Sequence, residues 1–162
     1  MAFDDLLAAN ETYARGFALN GLSGRASKGL AVLTCIDTRI EPLPMLGLAP
    51  GDAKILRNAG ARVDDGVLST LVFAHRLLGV DRVMVVAHTD CRLSVESEAV
   101  LHEALSAAGG PDTGDLSFPV GAGREETVQQ DVERIRSSPH LAAVEAGGFL
   151  YDVGTGRVER LC

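Results

Sequence analysis

The sequence predicts an α/β fold, a mostly parallel four-stranded central sheet flanked by helices, with an antiparallel hairpin at its carboxyl-terminal edge. Three observations predict it. Short apolar runs at 29–35, 53–57 and 82–88 have the length and hydrophobicity of buried strands. Segments with apolar residues at helical spacing separate the later runs, the connection that parallel neighbours require. The alternation continues without a repeat or a break in composition, so one domain is expected over residues 1–162.

The elements follow in order. Phe3, Leu6, Leu7, Tyr13, Ala14 and Phe17 recur at helical spacing, so the chain opens on an amphipathic helix whose stripe needs a cover. A linker at 22–28 leads into the first strand, Gly-Leu-Ala-Val-Leu-Thr-Cys, and a stretch with Pro42 and Pro44 reads as a loop or short helix. The second strand, 53–57, brings Arg57 and Asn58 to its end. Asp64 and Asp65 open a helix lined by Val67, Leu68, Leu71, Val72, Leu77 and Leu78, which Gly79 closes. The third strand is Arg-Val-Met-Val-Val-Ala-His. Past Cys91 a helical stretch is expected to about Ala108, stopped by Gly109-Gly110-Pro111, and a Gly/Pro-rich loop runs to Gly123. Val128, Val132 and Ile135 mark a further helix that ends before Pro139. A fourth strand at 149–153 then turns through Gly154-Thr155-Gly156 into 158–161.

Composition narrows the function classes. Hydrophobic residues make up 46% of the chain, enough for a substantial core. A net charge of −7 with basic residues scattered along the chain argues against a nucleic-acid partner. No run approaches ~18 apolar residues, and Met-Ala-Phe-Asp-Asp-Leu-Leu lacks a basic, then apolar, leader pattern, so no membrane span and a cytoplasmic address are expected. Three cysteines in a reducing compartment read as ligands or buried thiols, and Cys162 as a loose terminal thiol.

The chemistry sits at the strand ends. Cys35 ends the first strand, His88 ends the third, and Cys91 follows one turn later in a His-x-x-Cys spacing. Parallel strands bring these ends to one edge of the sheet. Two thiolates and an imidazole suit zinc and leave one tetrahedral position free, the layout of a catalytic site. Inert thiols, a Cys35 to Cys91 disulfide, or iron are the competing readings. Asp37 and Arg39 lie two and four residues beyond Cys35; the carboxylate can reach the metal or be held off it by a bidentate pair with the guanidinium, and the bland alternative is a loop ion pair. Arg57 and Asn58 are site residues or strand-end caps, and Asp90 is read as the start of the next helix. His75, His102 and His140 are candidate proton carriers, each more simply read as structural.

Cys35-x-Asp37-x-Arg39, Arg57-Asn58-Ala59-Gly60, His88-Thr89-Asp90-Cys91 and the closing Gly-Phe-Leu-Tyr-Asp-Val segment together resemble the beta class of carbonic anhydrases, most closely its short actinobacterial forms. The resemblance implies a Zn²⁺ ion on Cys35, His88 and Cys91, with Asp37 as a conditional fourth ligand governed by Arg39. It implies reversible hydration of carbon dioxide to bicarbonate and a proton. It also implies that the amino-terminal helix serves dimerisation, in a homodimer or a dimer of dimers. Two departures stand out. Arg92 replaces the glycine usual after the last cysteine, and Ala61 replaces a second glycine after Gly60, a mild change if φ there is negative. The alternatives are a hydrolase of a carbon dioxide analogue such as carbon disulfide, or a zinc or redox sensor without turnover.

Overall fold

The computed structural model describes residues 2–95 and 97–162. Its centre is a five-stranded sheet of β1 (Leu30–Cys35), β2 (Ala53–Asn58), β3 (Arg82–His88), β4 (Glu145–Tyr151) and β5 (Val158–Arg160), in the order β2-β1-β3-β4-β5. The first four are parallel and β5 pairs antiparallel with β4. β1 is buried along its whole length, as a central parallel strand must be, which is why its sequence is an unbroken apolar run.

Helices α1 (Asp4–Arg15), α2 (Pro42–Met45), α3 (Asp65–Leu78), α4 (Glu98–Ala107) and α5 (Glu125–Arg136) complete the chain. One sheet face packs against α3 and α5 through Leu33, Val85, Leu71, Val132 and Ile135, all fully buried. Asp64 caps α3 by accepting the Val67 N–H at 2.7 Å. The other face carries a smaller cluster, Leu30, Val32 and Val86, with Met84, Phe149 and Tyr151 only partly covered. Nor does any residue of α1 bury itself, and Phe3, Leu6, Leu7 and Tyr13 are each more than half exposed. The stripe therefore does not pack on its own sheet.

Three expectations need correction. The helix after Cys91 starts only at Glu98, capped by Ser97, because Asp90 holds φ at +55° and the chain from Cys91 onward first turns back, with the Ser94 N–H on the Cys91 carbonyl. β4 begins at Glu145, four residues early, and ends at Tyr151. Gly147 and Gly148 look like punctuation but lie inside the strand; a Cβ on Gly148 would stand 2.5 Å from Val128 Cγ1 and 2.8 Å from Cys162 Sγ. Glycine there lets α5 and the terminal segment close on the strand. Cys162 is accordingly not loose. Its carbonyl accepts the Gly148 N–H at 3.0 Å, and its side chain packs against the main core.

Candidate metal centre

The topology makes the site. From β1 the chain leaves toward β2 on one side, and from β3 toward β4 on the other, so a crevice opens between β1 and β3 at their carboxyl ends. Cys35 and His88, the last residues of these strands, stand on its two sides, and the turn after β3 delivers Cys91. The two sulfurs and a histidine nitrogen all lie within 4.8 Å of one another.

His88 shows what they are for. Its Nδ1–H donates to the Thr89 carbonyl at 2.8 Å, which leaves the Nε2 lone pair free. The ring is 2% exposed, and Nε2 is the one buried side-chain polar atom without a partner among the described residues. An unpaired buried acceptor beside two sulfurs is costly unless a cation completes it. Burial, and next in size the neighbouring Cys35 sulfur among the effects that raise it, push the Cys91 thiol up, against a Leu93 N–H that pulls it down; a bound cation reverses that preference. The donor set thus fits zinc, and all three cysteines are free thiols, which removes the disulfide alternative.

Asp37 sits just outside this set. Its carboxylate accepts two hydrogen bonds from the Arg39 guanidinium, at 2.9 and 2.7 Å, and one from the Arg39 backbone N–H at 2.9 Å. Arg39, chiefly through its side chain, holds Asp37 well below the usual carboxylate range. Asp37 Oδ2 stays 4.0 Å from His88 Nε2, near the ligands yet turned to the arginine. Asp90 does not start a helix. Its carboxylate and its carbonyl take Arg39 Nη1 and Nη2 at 2.7 and 3.1 Å, so Arg39 is gripped from two sides.

Arg57 and Asn58 work on the backbone. Arg57 donates to the carbonyls of Cys35 and Asp37 at 2.9 and 2.6 Å, and Asn58 exchanges hydrogen bonds with the Arg62 backbone. The turn they frame, Ala59–Ala61, points the Gly60 N–H at Cys35 Sγ, 3.3 Å away. Gly60 needs φ +82° for this, and Ala61 follows at φ +58°. The alanine is therefore not the mild replacement expected with negative φ, since a Cβ in the left-handed region costs ~1–2 kcal/mol. Buried Asp131 on α5 anchors the far side of the turn by accepting from Arg62 Nε at 2.7 Å and the Val63 N–H at 3.1 Å. Sequence reading missed it, although an acid among Val128, Val132 and Ile135 on one helix face was a readable signal.

Ile36, Ala59 and Leu93 wall a cavity of about 240 Å³ in front of the ligands, with Arg92 at its side. None of the other histidines reaches it. His75 bonds the Val80 carbonyl, His102 bonds Thr113 and stacks edge-on to Phe118, and His140 is exposed elsewhere.

Comparison with known proteins agrees with this geometry. Residues 30–105 match the carbonic anhydrase family. Beta-carbonic anhydrase 1 of Mycobacterium tuberculosis is 34% identical over 98% of this chain and 96% of its own length. The chain belongs to the beta-class carbonic anhydrases. A carbonic anhydrase crystal structure from Streptococcus mutans superposes with a TM-score of 0.89 at 36% identity, covering 100% of this chain and 98% of that one. The carbonic anhydrase from Glaciozyma antarctica gives 0.82 at 29% identity, covering 96% and 95%. In this beta-class chain the Cys-His-Cys cluster is the zinc site typical of the family.

Proposed function

We propose that this protein, as one domain over residues 1–162, catalyses the reversible hydration of carbon dioxide to bicarbonate and a proton, with Cys35, His88 and Cys91 as zinc ligands and Asp37 and Arg39 as the controlling dyad. The observation that carries the reading is the unpartnered His88 Nε2 facing two sulfurs while Asp37 is held aside by Arg39. Zinc, when bound, supplies a Lewis acid that brings the ionisation of water to about pH 7 and so a nucleophile for carbon dioxide.

The chain's own residues set the conditions. Ile36, Ala59 and Leu93 offer carbon dioxide an apolar wall beside the ligands. Arg39 keeps the Asp37 carboxylate from competing for the fourth position, and Asp90 keeps Arg39 in place. Released from Arg39, Asp37 is the carboxylate close enough to close the site, which makes it a conditional fourth ligand. The Gly60 N–H fixes the Cys35 sulfur, and the Thr89 carbonyl fixes the His88 ring.

The working unit in this reading is a dimer. The exposed stripe of α1 and the partly covered face around Met84, Phe149 and Tyr151 are two apolar surfaces that one chain leaves open and a second copy can close by exchanging helices. Leu7→Glu is expected to shift sedimentation toward the monomer without unfolding the chain. A cytoplasmic location suits its free thiols. No described helix is long and apolar enough to cross a membrane.

Stopped-flow carbon dioxide hydration on zinc-quantified protein tests the function. Turnover proportional to zinc and lost in Cys91→Ser supports it; one zinc per chain with no turnover sinks it.

A further inference from the structure

We propose that Arg92 receives the anionic side of the reaction, binding bicarbonate and the small monovalent anions that compete with it at the mouth of the metal cavity. The inference rests on the carbonic anhydrase reading above and adds a residue to it.

Two cavities meet at this point. The inner one, about 240 Å³, holds the metal ligands, and an outer one of about 510 Å³ is lined by Ile36, Asp37, Thr38, Arg39, Asp90 and Arg92. Arg92 lines both, together with Ile36 and Asp37, so its charge borders the metal cavity and the outer one alike. Its charge is also the one left over. Arg39 gives its Nε, Nη1 and Nη2 to the carboxylates of Asp37 and Asp90. Arg92 has no hydrogen bond or ion pair among the described residues, and it is exposed.

The sign of the field follows from these groups. Two carboxylates, Asp37 and Asp90, stand against two guanidiniums, Arg39 and Arg92, so the mouth is neutral with Arg92 and carries one net negative charge without it. The two thiolates offset a bound divalent cation and add nothing. On a chain whose formal charge is −7, removing this cation turns the mouth repulsive to the anion that must leave or enter. A guanidinium also offers paired N–H donors in the planar fork that matches a carboxylate-like oxygen pair, and bicarbonate has one. Carbon dioxide has no charge and gains nothing from Arg92 before it reacts.

The experiment uses the zinc-loaded protein at constant ionic strength, with Arg92→Gly, Arg92→Lys, and Arg76→Gln on exposed α3 as a remote-charge control. Thiocyanate binding is followed by calorimetry, and KM for bicarbonate by dehydration kinetics. The expected result is that Arg92→Gly weakens both by about two- to sixfold, the size Coulomb's law gives for unit charges several ångström apart at a wet surface. Arg92→Lys recovers part of the loss, and Arg76→Gln changes neither. Unchanged thiocyanate affinity in Arg92→Gly, or an equal loss in Arg76→Gln, overturns the proposal. If the unmutated protein shows no turnover, the catalytic reading fails by itself, and the calorimetry still decides whether Arg92 binds anions.

Discussion

Gly60→Ala tests whether the turn after β2 is part of the metal site or only a connection. Two costs add in the folded state, and one effect on the unfolded chain opposes them. The alanine must hold φ near +82°, at ~1–2 kcal/mol. Its Cβ would stand 3.1 Å from Ala122 Cβ and 3.2 Å from Leu93 Cδ1, a crowding that costs ~1–3 kcal/mol because Ala122 Cβ is fixed to its backbone and both residues are buried. Against this, the unfolded chain loses freedom worth ~0.4–1 kcal/mol in the variant's favour. The net is a destabilisation of about 1–4.5 kcal/mol, or ~2–18 °C in Tm for a chain of this length. The displaced turn also withdraws the N–H from Cys35 Sγ, so zinc affinity falls together with stability. The assay is thermal unfolding of metal-free protein beside zinc competition with a chelator. Wild-type Tm with wild-type zinc affinity would refute the reasoning. The neighbouring change, Ala61→Gly, makes a useful contrast. Relief of strain at φ +58° is offset by one lost buried methyl, ~0.8 kcal/mol, and by added unfolded-state freedom, so its stability should stay within about 1 kcal/mol of wild type.

Arg39→Gln removes the partner that holds Asp37 aside, and carbon dioxide hydration at pH 7.5 is expected to fall about tenfold. Adding Asp37→Ala to that variant should restore much of the rate; a double variant as slow as the single one rules out the carboxylate as the blocking group. Asp131→Ala leaves Arg62 Nε and the Val63 N–H without their acceptor and should cost about 3 kcal/mol by urea midpoint, with less than 1 kcal/mol counting against a structural anchor. Asp52 gives a pH signature: the Ala49 N–H first, and the Ser27 hydroxyl next, hold its carboxylate below the ordinary 3.8. A folded-state pKa below the unfolded one stabilises above the unfolded value and is lost as pH falls through the folded one. The urea-midpoint gap between wild type and Asp52→Asn should therefore be constant from pH 8 to 5 and shrink below about pH 4.

What the sequence made legible was whatever periodicity and strand ends could carry. Cys35 and His88 could be placed at one sheet edge because each terminates an apolar run, and parallel pairing does the rest. The groups that hold the site were harder to see, for separate physical reasons. The Gly60 N–H is a backbone donor, and no side-chain motif announces where it points. Asp90 lies 51 residues from Arg39 in sequence, and only folding brings its carboxylate within reach. Gly147 and Gly148 resemble a turn, because the need for an absent Cβ arises from α5 and the terminal residues packed over β4. Ala61 could not be judged until its φ was known. Asp131 was open to inspection as an acid within an apolar helical face, and its meaning depended on the distant Arg62.

The hydrogen bond from His88 Nδ1 to the Thr89 carbonyl bears on how electron-rich the donor set becomes. A histidine ligand backed by a carboxylate pushes negative charge toward its metal, whereas a neutral carbonyl orients the ring and pushes far less. Two cysteine sulfurs already supply two negative charges, and the Gly60 N–H on Cys35 draws density away from one of them. The supporting groups thus lean in one direction: they position soft, generous ligands while restraining their generosity, so that a cation held among them keeps enough electron hunger to polarise a fourth ligand.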